Sequence, residues 1–536
     1  MSSVIYLNGN IYTMDAQRPR AQAMAIDSTS GRILAVGEND EVRRFGGQHA
    51  EVVDLRGRTV LPGFIDAHVH LLWTAHRFLR IDARSCKSEE EVAGLVRERA
   101  AQIPKGRWIS GASWDKNLWT PDQFPTKASL DAAAPEHPVA LWSKDWHMLW
   151  VNSLALQLAG ISAETPDLSN GAIRRDEEGE PTGILHEEGA TSLVGRVIEE
   201  PDQETNRVVI RRLQEEFQRS GITTIHDIEG ETSLQLFQEM RDQGELGMRV
   251  QMILSRHLLP RLREHGIKNA DNDLLRVGGI KIFADGALGS QTAAMLESYE
   301  GSSGNYGILT LPEEEMMATV RDAAELGLIV AIHAIGDRAA RVALNSIEYA
   351  QNMLARESKP LEAASVRYRL EHVQLITPED LARMRRLGVV ASIQPYHAVA
   401  DRDVAERYWG KRHRHAYAYR TMHDMGIPVA LGSDTPVETF DPLRILYAAT
   451  LRHDPSERRP PWLPDQALPV ADALWGYTLG AAYAGGEEKE KGSLTVGKLG
   501  DAIVLREDIL SVPQEKMFEN GVQATILGGQ IVYGET

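Results

Sequence analysis

Two histidines one residue apart close an apolar run, Val60-Leu61-Pro62-Gly63-Phe64-Ile65-Asp66-Ala67-His68-Val69-His70. In a β-strand, residues i and i+2 point to the same side. If the run is a strand, His68 and His70 aim two imidazoles at one point, as a strand does when it offers two ligands to a metal ion. Taken alone, the pair is better explained as two polar residues after a buried strand. Its weight comes from further polar residues that end or follow similar runs. His333 ends Ile329 to His333, His372 ends Tyr368 to His372, and Asp434 follows Val429-Ala430-Leu431-Gly432-Ser433. Lys281 lies within Gly279-Ile280-Lys281-Ile282-Phe283, an odd place for a lysine if both strand faces are buried. Each has an ordinary explanation by itself, such as a hydrogen-bonded core histidine, a snorkelling lysine or an aspartate that opens a turn. Jointly, His68, His70, His333, His372 and Asp434, with Lys281 nearby, form a metal-binding constellation.

Such residues converge only if their strands lie side by side. The β-type runs are Thr59 to Ala67, Thr223 to His226, Val250 to Leu254, Ile280 to Phe283, Ile329 to His333, Tyr368 to His372, Val389 to Gln394 and Val429 to Leu431. Amphipathic helical stretches such as Glu313 to Leu326 and Pro378 to Leu387 separate several of them. Alternating β and α units imply a parallel sheet. Eight of them match the α/β class of a closed (β/α)8 TIM barrel, whose strand ends meet at one face. An open doubly wound sheet is the alternative that periodicity leaves standing.

The two ends have a different texture. Val4 to Leu7 and Ile11 to Met14 flank Asn8-Gly9, which reads as a hairpin turn, and Ala23 to Ile26 and Ile33 to Val36 flank Ser30-Gly31-Arg32. Near the other end, Val522 to Leu527 and Gln530 to Tyr533 flank Gly528-Gly529. Residues 1–57 and 487–536 are therefore expected to form one composite β-sandwich around a barrel region, 58–486. About 155 residues separate the first barrel run from the second. We read 80–220 as a large insertion after the first barrel strand, at the end where a barrel keeps its chemistry. It holds strand-like runs at Arg107 to Gly111 and Pro138 to Ser143, a hairpin candidate from Gly171 to Leu185, and a concentration of tryptophan from Trp108 to Trp150. The alternative is a structural subdomain that never meets substrate.

Bulk properties set the remaining bounds. A chain of 536 residues exceeds one ordinary core. With 58 Lys and Arg against 76 Asp and Glu, a net charge of −18 argues against a nucleic-acid partner. The one cysteine, Cys86, excludes an intrachain disulfide and cysteine-rich zinc knuckles, and fits a reducing cytoplasm. The first residues lack a basic segment followed by an apolar one, so no secretory signal is expected. No run approaches the ~18 apolar residues of a membrane span. The expected partner is a small-molecule substrate, with a homodimer as the assembly.

Five segments sharpen this reading: Leu61 to His70, Lys281 to Ser290, His333-Ala334-Ile335-Gly336-Asp337, Glu371-His372-Val373 and Gly432-Ser433-Asp434-Thr435-Pro436. With Trp146 to Ser153, Gly179 to Gly183 and Gly492 to Asp501, the chain resembles the amidohydrolase superfamily over nearly its whole length, and within it the YtcJ-like branch that includes N-substituted formamide deformylases. The resemblance implies the TIM barrel with a composite sandwich and one or two divalent ions, commonly zinc. It implies that His68, His70 and Asp434 hold the more buried ion, that His333 and His372 hold the second, and that a carboxylated Lys281 bridges a binuclear centre. Some relatives use one ion and no lysine bridge. A divalent ion lowers the pKa of water to about 7. The expected reaction is hydrolysis of a non-peptide C–N bond in an amide, formamide or carbamate, with Asp434 as general base and then acid. His147 is the candidate stabiliser of the oxyanion. Trp114, Trp146, Tyr396 and His397 are candidate walls for an alkyl or aryl substituent. His226 is either a support for the centre or a plain strand-end polar residue. An esterase, lactonase or deaminase on the same centre is the rival chemistry. A non-catalytic binding or regulatory protein on this scaffold is the more remote one.

Overall fold

The computed structural model describes residues 3–45, 50–168, 170–199, 201–266, 273–357 and 366–536. At its centre are eight parallel strands: β1 (Phe64–Val69), β2 (Ile222–Asp227), β3 (Arg249–Ser255), β4 (Leu275–Phe283), β5 (Ile329–Ala334), β6 (Tyr368–His372), β7 (Val390–Ile393) and β8 (Val429–Leu431). They pair in that order from β1 to β8. The seam between β8 and β1 closes just past the strand ends, where the Asp434 N–H donates to the His68 carbonyl (2.8 Å) and the His70 N–H to that of Thr435 (3.0 Å). Gly432 permits this approach, because a Cβ there would lie 2.7 Å from the His68 nitrogen. The sheet is thus an all but closed (β/α)8 barrel, and the open-sheet alternative is excluded.

Helices cover its outer face by apolar stripes. Asp337–Arg356 buries Ala340, Ala343, Leu344, Ile347 and Leu354, the i, i+3, i+4 spacing of a one-sided helix. Pro378–Leu387 begins at Thr377, whose hydroxyl accepts from the Asp380 N–H, and stops at Gly388 in the left-handed conformation. The helical stretches read over Glu313 to Leu326 and Pro378 to Leu387 correspond to Glu313–Glu325 and Pro378–Leu387.

Inside the barrel, charge replaces part of the usual aliphatic filling. Arg369 of β6 is fully buried. It donates to both carboxylate oxygens of Glu371, two residues along the same strand, and to the Ser392 hydroxyl on β7 (2.9 Å). It also reaches the Ala67 carbonyl on β1 and Nδ1 of His226 on β2 (3.0 Å). One guanidinium therefore ties four strands together. It also settles His226, which supports this clamp from within the barrel.

Both termini do build one composite sandwich. A four-stranded sheet (Ile33–Gly37, Ala23–Asp27, Ser3–Leu7, Glu51–Asp54) packs on a six-stranded one (Gln530–Gly534, Val522–Leu527, Ala502–Leu505, Thr59–Pro62, Asn10–Tyr12, Arg20–Ala21). Tyr6, Ile11, Met24, Ile26, Val60, Val504 and Ile526 share the core between them.

Two local readings need correction. Asn8-Gly9 is not a hairpin turn. Ser3–Leu7 already pairs on one edge with Ala23–Asp27 and on the other with Glu51–Asp54, so Asn10–Tyr12 crosses to the second sheet. The run Thr59 to Ala67 is two strands, not one. Thr59–Pro62 pairs with Ala502–Leu505 in the sandwich, and β1 begins only at Phe64. The change of sheet falls at Gly63, where a Cβ would meet the Thr223 hydroxyl at 2.3 Å.

The long interval after β1 carries its own six-stranded sheet, in the order Ala172–Arg175, Pro181–His186, Met148–Val151, Val139–Ser143, Ile109–Trp114, Ile81–Asp82. Among the described residues, no helix is long and apolar enough to cross a membrane.

Candidate metal centre

The polar residues at the barrel strand ends meet at one place. His68 near the end of β1, His70 just beyond it, Lys281 in β4, His333 in β5, His372 ending β6 and Asp434 after β8 are all buried. Nε2 of His68 and of His70 lie 3.2 and 3.3 Å from Asp434 Oδ1. The His372 ring lies 5.0 Å from His68 and 4.6 Å from His333, centre to centre. Nζ of Lys281 is 3.4 Å from His68 Nε2. Among the described residues, two triads offer donor atoms mutually within 4.8 Å: His68, His70 and Asp434, and His372, His397 and Asp434. His333 and Lys281 belong to neither triad. His333 instead directs Nε2 at the Gly286 carbonyl (3.0 Å).

Three of these rings hold Nδ1 against an acceptor. Nδ1 of His68 meets Glu371 Oε2 at 2.6 Å, Nδ1 of His70 the Ile228 carbonyl at 2.7 Å, and Nδ1 of His372 the Gln394 Oε1 at 2.8 Å. For His68 and His70 the acceptor places the proton on Nδ1 and leaves the Nε2 lone pair facing Asp434, the arrangement that prepares an imidazole to coordinate a metal; in His372, Nδ1 itself lies 3.8 Å from Asp434 Oδ2. Burial, helped by the Lys281 charge, pulls His68 down to about 4, and burial also holds His333 and His372 well below the ordinary histidine value. Burial thus favours the neutral form of each ring. Burial works against the Asp434 charge, but His68, His70, His372 and His397 around it hold the carboxyl well below the usual range. Neutral imidazoles converging on an ionised carboxylate are a donor set that suits a divalent transition ion. Burial also brings Lys281 down to about 8.

Backbone strain gathers at the same spot. His372 (φ 73°), Val373 (φ 46°) and Asp434 (φ 59°) are left-handed, as are Trp146 (φ 61°) and Glu187 (φ 59°) in the insertion. Non-glycine residues rarely stay there, and such strain collects where a site demands a particular side-chain direction.

A cavity of about 560 Å³ opens over these residues. The insertion forms much of its wall through Trp142, Asp145, Trp146, His147 and Glu187. It therefore lines the same cavity as the candidate ligands. His147 Nδ1 lies 2.9 Å from Glu187 Oε2, and its ring is 5.6 Å from that of His333. Burial alone would lower His147. The Glu187 carboxylate, with Asp145 and Asp285 beyond it, overcomes that and raises it to about 9.

The candidate wall residues divide. Trp146 lines the cavity. Trp114 does not: it is fully buried in the core of the insertion, where its indole N–H donates to the Leu141 carbonyl. Tyr396 is turned away as well, with its hydroxyl donating to Asp454. His397 sits deeper than a wall residue, with Nε2 3.5 Å from Asp434 Oδ2. Residues not singled out from the sequence are Trp73, Glu187, Asp285, Glu371 and Gln394. Asp285 is buried beside His333 and accepts three backbone N–H groups, from Ala294, Ile335 and Gly336. Arg369 and Glu371 did leave a signal: opposite charges at i and i+2, on one face of a buried strand.

Comparison with known proteins identifies the family. The Amidohydrolase family model matches residues 51–533. The chain is 30% identical over 538 residues to YtcJ of Bacillus subtilis (strain 168), covering 99% of each chain. It is 30% identical over 551 residues to the N-substituted formamide deformylase of Arthrobacter pascens, covering 100% of this chain and 99% of that one. Among solved structures, it superposes on an uncharacterized metal-dependent hydrolase from Pyrococcus horikoshii with a TM-score of 0.76 and 28% identity, covering 96% of this chain and 99% of that one. The chain belongs to the amidohydrolase family, enzymes that hydrolyse carbon–nitrogen bonds other than peptide bonds.

Proposed function

We propose that this enzyme hydrolyses the C–N bond of an N-substituted formamide, amide or carbamate at a zinc centre. The convergence of His68, His70, His372 and His397 on Asp434, at the floor of a cavity walled by the insertion, carries this reading. The full-length likeness to an N-substituted formamide deformylase supports the bond type. His68, His70 and Asp434 would hold one ion; a second would call on His372 and His333 and on a carboxylated Lys281. Such an ion would supply a water whose pKa falls to about 7 and a Lewis acid for a carbonyl.

The chain's own groups do the rest. Asp434 takes the proton of the attacking water on its carboxylate and returns it to the leaving nitrogen. Glu187 holds the Nδ1 proton of His147, so that a second N–H, on Nε2, donates to the carbonyl oxygen as it gains charge. Indoles of Trp73, Trp142 and Trp146 exclude water and receive the N-substituent. The lone cysteine supports the cytoplasm as its compartment.

The decisive experiment is metal analysis of the purified protein together with a panel of N-substituted formamides, amides, carbamates and aryl esters. One or two divalent ions per chain and release of amine are expected. A metal-free protein that turns over none of the panel, with zinc supplied, overturns the proposal. A preference for the esters would replace C–N cleavage by ester cleavage.

Two further outcomes follow from single residues. His147→Ala is expected to lower kcat by about 100-fold, the size of one lost oxyanion donor, and to change KM much less. An unchanged kcat would leave His147 a packing residue. Lys281→Ala is expected to lose metal and activity together, with partial rescue by short carboxylic acids. Only the neutral amine combines with CO2, and Lys281 loses its proton near 8. Reactivation of metal-free protein by bicarbonate and zinc should therefore rise as pH climbs through about 8. A flat profile in that window, or an unmodified lysine in the zinc-loaded protein, argues against the bridge.

A further inference from the structure

A second cavity, of about 350 Å³, adjoins the first, and Trp73, Arg80, Trp146 and Pro436 line both. The two spaces are therefore separated by no more than the thickness of these side chains. The wall of the second is basic: Arg77 is paired with Glu216, and Arg80, Arg84 and Arg212 remain against the single carboxylate of Asp82. In a chain of net charge −18, this is a local reversal of sign, and a cleft so lined concentrates anions.

The arginines are positioned. Nη2 of Arg80 donates to Nδ1 of His76 (3.1 Å), and His76 Nε2 is bound to the Asn206 Oδ1 (2.7 Å). Burial, with the Arg80 charge, pulls His76 down to about 4, so the ring is neutral and its Nδ1 is an acceptor. The Arg80 guanidinium lies 5.4 Å above the Trp146 ring, and that of Arg212 3.8 Å above Phe78. The indole Nε1 of Trp146 is buried, with no hydrogen-bond partner among the described residues, on the wall common to both cavities.

A continuous aromatic path joins this wall to the metal centre. His70 stacks on Trp73 (4.9 Å), Trp73 on Trp146 (5.7 Å) and Trp146 on Trp142 (5.6 Å). A flat substituent on the scissile nitrogen fits along these indoles with its far end toward Arg80. We infer that the second cavity is a substrate subsite for an oxyanion, a carboxylate or phosphate group, carried at the far end of an aromatic N-substituent. This rests on the C–N hydrolase reading above and adds its substrate class.

The test uses the full-length, zinc-loaded enzyme and three probes: N-benzylformamide, its 4-carboxy derivative and its 4-phosphono derivative. The carboxylate or the phosphonate is expected to exceed the uncharged compound about tenfold in kcat/KM, the size of one charge-assisted hydrogen bond, with the gain in KM. Whichever of the two gains more identifies the anion. The advantage should shrink at high salt. Arg80→Met should bring the ratio to within twofold. So should Arg84→Met combined with Arg212→Met, a pair of exposed residues whose loss leaves the fold intact.

A second readout needs no turnover: calorimetric affinity for 4-(aminomethyl)benzoate against benzylamine, expected to differ by the same factor and to lose that difference in the variants. Equal kcat/KM for all three probes with equal product affinities would overturn the subsite and leave the hydrolase reading intact. Hydrolysis of none of the probes, with an arginine-dependent difference in product affinity, would overturn the formamide reading and leave the anion subsite standing.

Discussion

Asp434→Asn should reduce kcat by about 10⁴-fold, the upper end of what a positioned proton-transfer group contributes. The replacement keeps the shape of the side chain and removes its charge. In the native protein, that charge faces His68 and His70 within 3.3 Å and His397 at 3.5 Å. An amide at this position cannot accept a proton from water, and it is a poorer ligand for a divalent ion. Loss of activity should therefore come with weakened metal retention, read by metal analysis after dialysis. The fold should persist, because the backbone hydrogen bond from Asp434 to His68 that closes the barrel seam does not involve the side chain. Far-ultraviolet circular dichroism checks this. Retention of more than a tenth of the wild-type kcat would remove Asp434 from the chemistry.

Arg369→Met should have the largest effect on stability. Arg369 and Glu371 are both fully buried, and Arg369 also anchors Ala67, His226 and Ser392. Removing one partner of a buried ion pair leaves the other charge uncompensated, at a cost of about 3–5 kcal/mol. The thermal midpoint should fall, and metal should be lost with it, because Glu371 holds the Nδ1 proton of His68 and is itself held by Arg369. Adding Glu371→Leu to Arg369→Met should recover part of the stability, since no lone charge remains inside the barrel. It should not recover metal, since His68 would still lack its acceptor. A single variant with an unchanged midpoint would show that the pair contributes specificity or nothing, and not stability.

How far the site was legible depends on how each residue is aimed. His68 and His70 were readable because strand alternation puts i and i+2 on one side. The same rule would point Glu371 and His372 to opposite sides of β6. Both nevertheless reach His68, Glu371 by a 2.6 Å hydrogen bond and His372 ring to ring at 5.0 Å. The left-handed backbone of His372 and Val373 re-aims the ring at the strand end, and no pattern of residue types announces that turn. Trp114 and Trp146 show the other side of the problem. Both are tryptophans of the insertion. One fills the insertion core and the other lines the cavity, because Trp114 ends an inner strand while Trp146 occupies a left-handed turn between strands. Hydrophobicity alone does not distinguish them.

The split at Gly63 was hidden for a related reason. No charged or polar side chain interrupts Val60 to Ile65, although the chain changes sheet in the middle. The Asn8-Gly9 turn misled similarly, since its dipeptide suits a hairpin but both edges of the preceding strand were taken by other partners.

What the sequence alone determined is the set of chemical groups and the strands that carry them: eight parallel units, with imidazoles, a lysine and a carboxylate at their ends. These are local properties of periodicity and composition. The tertiary structure alone decided which nitrogen of His68 and of His70 faces Asp434, which tryptophans line the cavity, and that a basic cavity lies beside the candidate metal centre. Those depend on acceptors and side chains far away in the chain: Glu371 for His68 and Ile228 for His70, 303 and 158 residues along. Contacts over such separations exist only once the barrel has closed and the insertion has folded over its mouth.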